Sequence, residues 1–110
     1  MKRGDVVLVV LQSELGKPRP GVIVQADELD GLASTIVCPM SSHIDTTNDM
    51  RPVIAPSVQN GLLVETQIMT DKLNTLRHGR VKRIIGTLDS DARERLNSAL
   101  LLVLGLTRGR

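Results

Sequence analysis

At 110 residues the chain is long enough for one hydrophobic core, and the expectation is a single domain over 1–110. A count of 14 Lys and Arg against 12 Asp and Glu gives a net charge of +2, too small to mark a nucleic-acid binder by itself. No Phe, Tyr or Trp occurs, which excludes the aromatic platforms on which many single-strand binders stack bases, so any hold on RNA rests on Arg, Lys, hydrogen bonds and aliphatic contacts.

Met1-Lys2-Arg3-Gly4-Asp5 places an acid before a short apolar stretch, and no run approaches the ~20 apolar residues of a membrane span. The expectation is no signal peptide, no membrane helix and a cytoplasmic protein. Val6–Leu11 reads as a strand buried on both faces. Gly16-Lys17-Pro18-Arg19-Pro20-Gly21 then reads as a stiff connecting loop that presents one guanidinium, because two prolines fix the backbone on either side of Arg19. An always-charged fork at the rim of a sheet suits a phosphate or a carboxylate, and a solvated arginine on an ordinary hairpin is the plain alternative.

Val22–Val24, extended by Gln25 and Ala26, makes a second strand. Thr35–Cys38 makes a third, stopped by Pro39, with Met40-Ser41-Ser42-His43 as its exit. Cys38 is the lone cysteine, so no intrachain disulfide is available, and its apolar neighbours make it a small core residue. Ile44–Met50 is a loop rich in turn formers, and Pro52–Pro56 is a short edge strand bracketed by prolines. Asn60-Gly61 marks a tight turn into a strand at Leu62-Leu63-Val64, followed by Glu65 to Thr70. Leu73, Thr75 and Leu76 permit a further short strand, and Arg83–Leu88 is the last.

Asp89 or Ser90 caps a helix that stops at Gly105. Ala92, Leu96, Ala99, Leu100 and Val103 fall on one of its faces, while Leu101, Leu102 and Leu104 make its last turns apolar nearly all round, so that end should be covered from more than one side. Thr107–Arg110 reads as a frayed tail. Many short strands and one C-terminal helix make a compact α+β domain or small barrel. Lys72, Arg77, His78, Arg80, Lys82 and Arg83 form a basic band, which is either a phosphate footprint or a solvated face.

The order of these pieces resembles the MazF/PemK family of toxin endoribonucleases, the mRNA interferases of type II toxin–antitoxin systems. Arg3–Val9 is similar to that family's opening strand, Lys17–Val24 to its arginine-proline strand, and Val37–Ser42 to its strand ending in Pro, an aliphatic residue, Thr and Ser. The Gln67–Gly86 segment and the Leu-rich ending up to Leu106 resemble its last third. The resemblance implies an SH3-like β-barrel of the CcdB/MazF type with a C-terminal helix, usually a homodimer, that cuts single-stranded RNA, mRNA included, without metal or other cofactor, inhibits growth and is restrained by a cognate antitoxin.

Carried over by position, the family's arginine falls on Arg19 and its hydroxyl residue on Ser41, with Ser in place of the usual Thr. Ser42 and His43 are further catalytic candidates. Lys17, Lys72, Arg77, His78 and Arg80 are candidate RNA contacts, and no residues are assigned to a metal. Some members use an arginine and an acid where this chain has Asn74 and Arg77. The implied reaction needs a base for the RNA 2′-hydroxyl, donors for the phosphoryl oxygens and an acid for the leaving oxygen. Arg19 suits the middle role. His43 and His78 are the only side chains whose ordinary pKa suits proton transfer near neutrality, and Glu65 and Asp71 are further candidate bases. A gyrase-poison-like toxin of the same fold and a non-catalytic binding module are the competing readings.

Overall fold

A computed structural model of the chain describes residues 1–12 and 16–107. Part of the Leu11–Lys17 connection and the end of the tail lie outside those residues. Seven strands come in the order β1 (Asp5–Val10), β2 (Pro18–Ile23), β3 (Ser34–Ser41), β4 (Val53–Ile54), β5 (Thr66–Ile68), β6 (Asn74–Arg77) and β7 (Val81–Thr87), followed by one helix, α1 (Ser90–Val103). All pairings are antiparallel, in the order β4-β5-β3-β2-β1-β7, with β6 also on β3. The sheet curls into a half-barrel, α+β in class, and α1 covers one of its faces.

The central strands alternate between two cores because side chains on a strand point to opposite faces by turns. Val6, Val22, Cys38, Met40 and Ile68 pack with Leu88, Ala92, Leu96 and Leu100 beneath the helix. Their chain neighbours Val7, Ile23 and Val37 join Val9, Leu11 and Leu76 in a second cluster on the other face. Burial of β1 on both sides therefore follows from its Val/Leu run. Cys38 lies fully inside the first core, and burial pushes its thiol pKa up to about 12, which leaves it an inert apolar group.

Four expectations change. Pro18, Arg19 and Pro20 are not a loop: they open β2 and pair with Val10, Val9 and Leu8 of β1, while β3 leaves that end of β2 without a second ladder, where a missing N–H costs little. On the far side β2 ends at Ile23, short of Gln25 and Ala26. Pro39 does not stop β3, which runs on to Ser41 by pairing Met40 and Ser41 with β5. Leu62–Val64 form no strand: Leu63 is 93% exposed, and the chain there bends toward β7.

The bend has a local cause. The Asn60 side-chain oxygen accepts the N–H groups of Ser57 and Leu62, and its amide donates to the Ala55 carbonyl, closing the turn upon itself. Gly61 has φ +72°, and a Cβ there would fall 2.1 Å from the Ile85 carbonyl oxygen. A Cβ on Gly86 would fall 2.3 Å from the Asn60 carbonyl carbon. The turn is thus pressed backbone to backbone onto β7, and the Thr87 N–H donates to the Gln59 carbonyl across the same contact.

The helix follows its reading closely. The Asp89 carboxylate accepts the Ala92 N–H at 2.8 Å. At the other end Gly105 takes φ +70°, its N–H donates to the Leu102 carbonyl, and the Leu106 N–H donates to the Leu101 carbonyl, the paired bonds of a Schellman stop. The apolar last turns are not covered within the chain, since Leu101, Leu102 and Leu104 stay 40–51% exposed.

Gly61→Ala and Gly86→Ala should each lower unfolding stability by roughly 3 kcal/mol, because the added methyl meets backbone that cannot step aside. Gly105→Ala, strained in φ but facing open space, should cost only about 1 kcal/mol. Urea denaturation of the three variants checks the ranking, and equal losses would show that the turn on β7 yields easily.

Candidate active site

Pairing register brings Arg19 and Ser41 to one place. Gly21 of β2 is the partner of Pro39 of β3. Arg19 is two residues before Gly21 and Ser41 two residues after Pro39, so both lie on that row's face, at the same level and the same end of the sheet. Val9 is the direct partner of Arg19, and Gln67 of β5 is the direct partner of Ser41. Arg19 is half-buried and has a bonding partner. Backbone pairing on β2 thus sets where its guanidinium starts, a firmer placement than the expected loop would give.

Ser41 is half-buried, and its Oγ accepts the backbone N–H of His43 at 3.1 Å. With that lone pair occupied, the hydroxyl proton remains as a donor. Ser42 takes the other side. It lines a groove of about 590 Å³ with Leu8, Pro20, Arg83 and Ile84, walled by the bent Leu62–Val64 segment. Leu8 pairs with both Pro20 and Arg83, so this groove belongs to the opposite face from Arg19. His43 is exposed on the loop that follows.

The basic candidates divide. Lys17 is exposed immediately before β2 and so stands at the Arg19 end. Arg80 precedes Val81, which pairs with Val9, two strand spacings or about 10 Å from Arg19 along the row. Arg77 pairs with Ser34, seven residues back along β3 from Ser41 and on the order of 20 Å away along the strand, and His78 follows it. Lys72 is exposed on the turn between β5 and β6.

The loop from Ile44 to Met50 is structured by its own side chains and by β5. Asp45 accepts the Thr47 N–H and hydroxyl at 3.0 and 2.6 Å, and these bonds, the hydroxyl's first, hold its carboxyl below the usual range, with smaller attractions from Arg51 and His43. Asn48 accepts the Met50 N–H. The Thr70 hydroxyl donates to the Met50 carbonyl, and Arg51 grips Asp71 through two bonds at 2.8 and 3.1 Å. Sequence reasoning missed two of the residues that shape this site, Gln67 and Arg51. Neither stands in a recognisable spacing, since Arg51 and its partner are 20 positions apart.

Asp71, a candidate base from sequence, is committed to Arg51. That hydrogen-bonded pair holds its carboxyl below the ordinary range, so it is a poor proton acceptor near neutrality. Glu65 is exposed on the segment before β5. Because folding favours the ionised form of Asp71, the stabilisation from this pair is complete above the unfolded carboxylate pKa of about 3.9 and vanishes as pH falls through the depressed folded value. Asp71→Asn should therefore be less stable than the unsubstituted chain at pH 7, with the difference closing below about pH 4. Denaturation midpoints across that range test it, and a pH-independent difference would mean that the ion pair contributes nothing.

Comparison with known proteins agrees with the architecture. The family model for PemK-like, MazF-like toxins of type II toxin–antitoxin systems matches residues 2–104. A probable endoribonuclease MazF of Mycolicibacterium smegmatis is 32% identical over 107 residues, covering 96% of this chain and 98% of that one. Among solved structures, the Mycobacterium tuberculosis toxin MazF-mt6 superposes with a TM-score of 0.81 at 19% identity, covering 94% of this chain and 98% of that one. An endoribonuclease in complex with its cognate antitoxin from Mycobacterial species superposes with a TM-score of 0.83 at 20% identity, covering 99% of each. The family model over residues 2–104 and a relative 32% identical over nearly the whole length leave one assignment: this chain belongs to the PemK-like, MazF-like toxins of type II toxin–antitoxin systems.

Proposed function

We propose that this chain, working as one domain over 1–110, is a metal-independent endoribonuclease that cuts single-stranded RNA, mRNA included, at a short sequence motif. The observation that carries the reading is the shared face and level of Arg19 and Ser41, which puts a planar cation and an oriented hydroxyl donor at one end of the sheet. In the reaction the RNA 2′-oxygen forms a bond to the adjacent phosphorus and the bond to the 5′-oxygen breaks. The products are a 2′,3′-cyclic phosphate and a 5′-hydroxyl. One proton leaves the 2′-hydroxyl and one is delivered to the departing oxygen.

Arg19 binds the two non-bridging phosphoryl oxygens and offsets the charge that builds on them. The Ser41 hydroxyl donates to one of those oxygens. His43, two residues on, is the candidate for moving a proton in the reaction. Ser42, in the groove of Arg83 on the opposite face, is outside this constellation. Lys17 and Arg80 extend the positive field at the Arg19 end, and Lys72, Arg77 and His78 contact phosphates further along the strand. The chain acts in the cytoplasm and pairs with a second copy of itself. Its cognate antitoxin is a segment that lays acidic and apolar residues over this basic rim.

Incubation with a long single-stranded RNA in excess EDTA, followed by mapping of the cut ends, tests the reading. The expected products carry cyclic or 3′-phosphate ends at one short motif, with Arg19→Ala slower by roughly 10²–10³-fold. Ser41→Ala should lose activity while Ser42→Ala keeps it, each variant checked for folding by circular dichroism. Strict dependence on a divalent ion would overturn the mechanism. Cleavage by Arg19→Ala at the unsubstituted rate would remove Arg19 from it.

A further inference from the structure

We infer that Gln67 is a positioning residue for RNA cleavage, fixing the loop that follows Ser41 through the backbone of Asp45. The inference rests on the ribonuclease reading above. Gln67 lies in the middle of β5, only 1% exposed, paired with Ser41 on one side and Val53 on the other. A primary amide so deep within a sheet has no water to bond and must find both partners in the protein.

It finds both on one residue. Gln67 Oε1 accepts the Asp45 N–H at 3.2 Å, and Nε2 donates to the Asp45 carbonyl at 3.0 Å. This is the exchange that a hydrogen-bonded pair makes across an antiparallel ladder, with a side chain standing in for the missing strand. The Asp45 carboxylate plays no part in it, being engaged with Thr47. The same residue thus pairs with Ser41 through its backbone and holds the chain four residues later through its side chain.

What lies between these two attachments is the His43 N–H that orients the Ser41 hydroxyl. With Asp45 held, residues 42–44 form a short closed arc and the His43 N–H stays on Ser41 Oγ. With Asp45 released, the arc opens and the hydroxyl turns freely, while Arg19 on β2 keeps its place. The loss then falls on kcat rather than on KM, since phosphate binding survives and alignment does not. Chemistry also limits what can replace the residue. Glu keeps an acceptor and loses the donor, Met keeps the volume and loses both, and Asn is one methylene short.

The test compares the unsubstituted chain, Gln67→Met and Gln67→Glu on one cleavable RNA oligonucleotide, with amide hydrogen exchange at Asp45 read in the unsubstituted chain. Expected are an Asp45 amide protected as well as those of β5, and a Gln67→Met protein that still melts cooperatively. Its kcat should fall about 10–10²-fold with KM within about threefold, and Gln67→Glu should lie between. If Gln67→Met fails to fold, Gln67→Glu carries the same comparison. Open-loop exchange at Asp45 overturns the anchor without any variant. A folded variant with unchanged kcat overturns the positioning role. An unsubstituted chain that cuts no RNA overturns the ribonuclease reading instead, and the two failures are told apart by that control.

Discussion

β3 has to satisfy three neighbours with eight residues. Ser34–Val37 serve β6, Val37–Pro39 serve β2, and Met40 and Ser41 serve β5. Because side chains alternate with a period of two, a slip of one position would exchange Val37 and Cys38 between the two cores and send Ser41 to the face now lined by Ser42. Three ladders resist that slip together. The side chains at the end of the sheet are placed by this frame: Arg19 is counted from Gly21, Ser41 from Pro39, and Gln67 from Ser41 itself. The two register shifts between β1 and β7, which leave Ile85 and Lys82 without opposite numbers, add twist where the half-barrel must curl without disturbing the rows beneath the site.

How much of this was legible depends on whether the cause was local. The helix was, from Asp89 to Gly105, because capping chemistry involves residues three or four apart. The Val-rich strand β1 was as well. Pro18, Pro20 and Pro39 misled because a proline reads as a break when only the chain is seen, whereas in the sheet it is tolerated wherever no ladder bond is asked of its nitrogen. Leu62–Val64 had strand composition but pair with no strand, and the Gly61–Ile85 contact that diverts them joins positions far apart in the chain. Arg19 was singled out by the prolines on either side of it, and Ser41 was named by resemblance. Their neighbourhood was supplied by register, and Gln67 could be recognised only once the loop lay over it.

The absence of aromatic residues gives the fold a consistent style. Both cores are built mainly from branched aliphatic side chains, joined beneath the helix by Cys38, Met40 and Ala92. Arg51 shows the same economy in a structural role: one bidentate pair with Asp71 ties the end of the Ile44–Met50 loop to the turn just after β5, the strand that holds the loop's beginning through Gln67. The loop therefore holds a preset shape before any partner arrives.

The contact of Gly61 with Ile85 and of Gly86 with Asn60 is made by main chain alone. Val58, Leu63 and Val64, which stand on and beyond that turn, contribute nothing to holding it and are largely exposed. Shape and surface are consequently inherited separately on this side of the molecule. With the two glycines, Asn60 and the buried Leu62 kept, Val58, Leu63 and Val64 are free to change, so the surface of this face can vary while its architecture stays fixed.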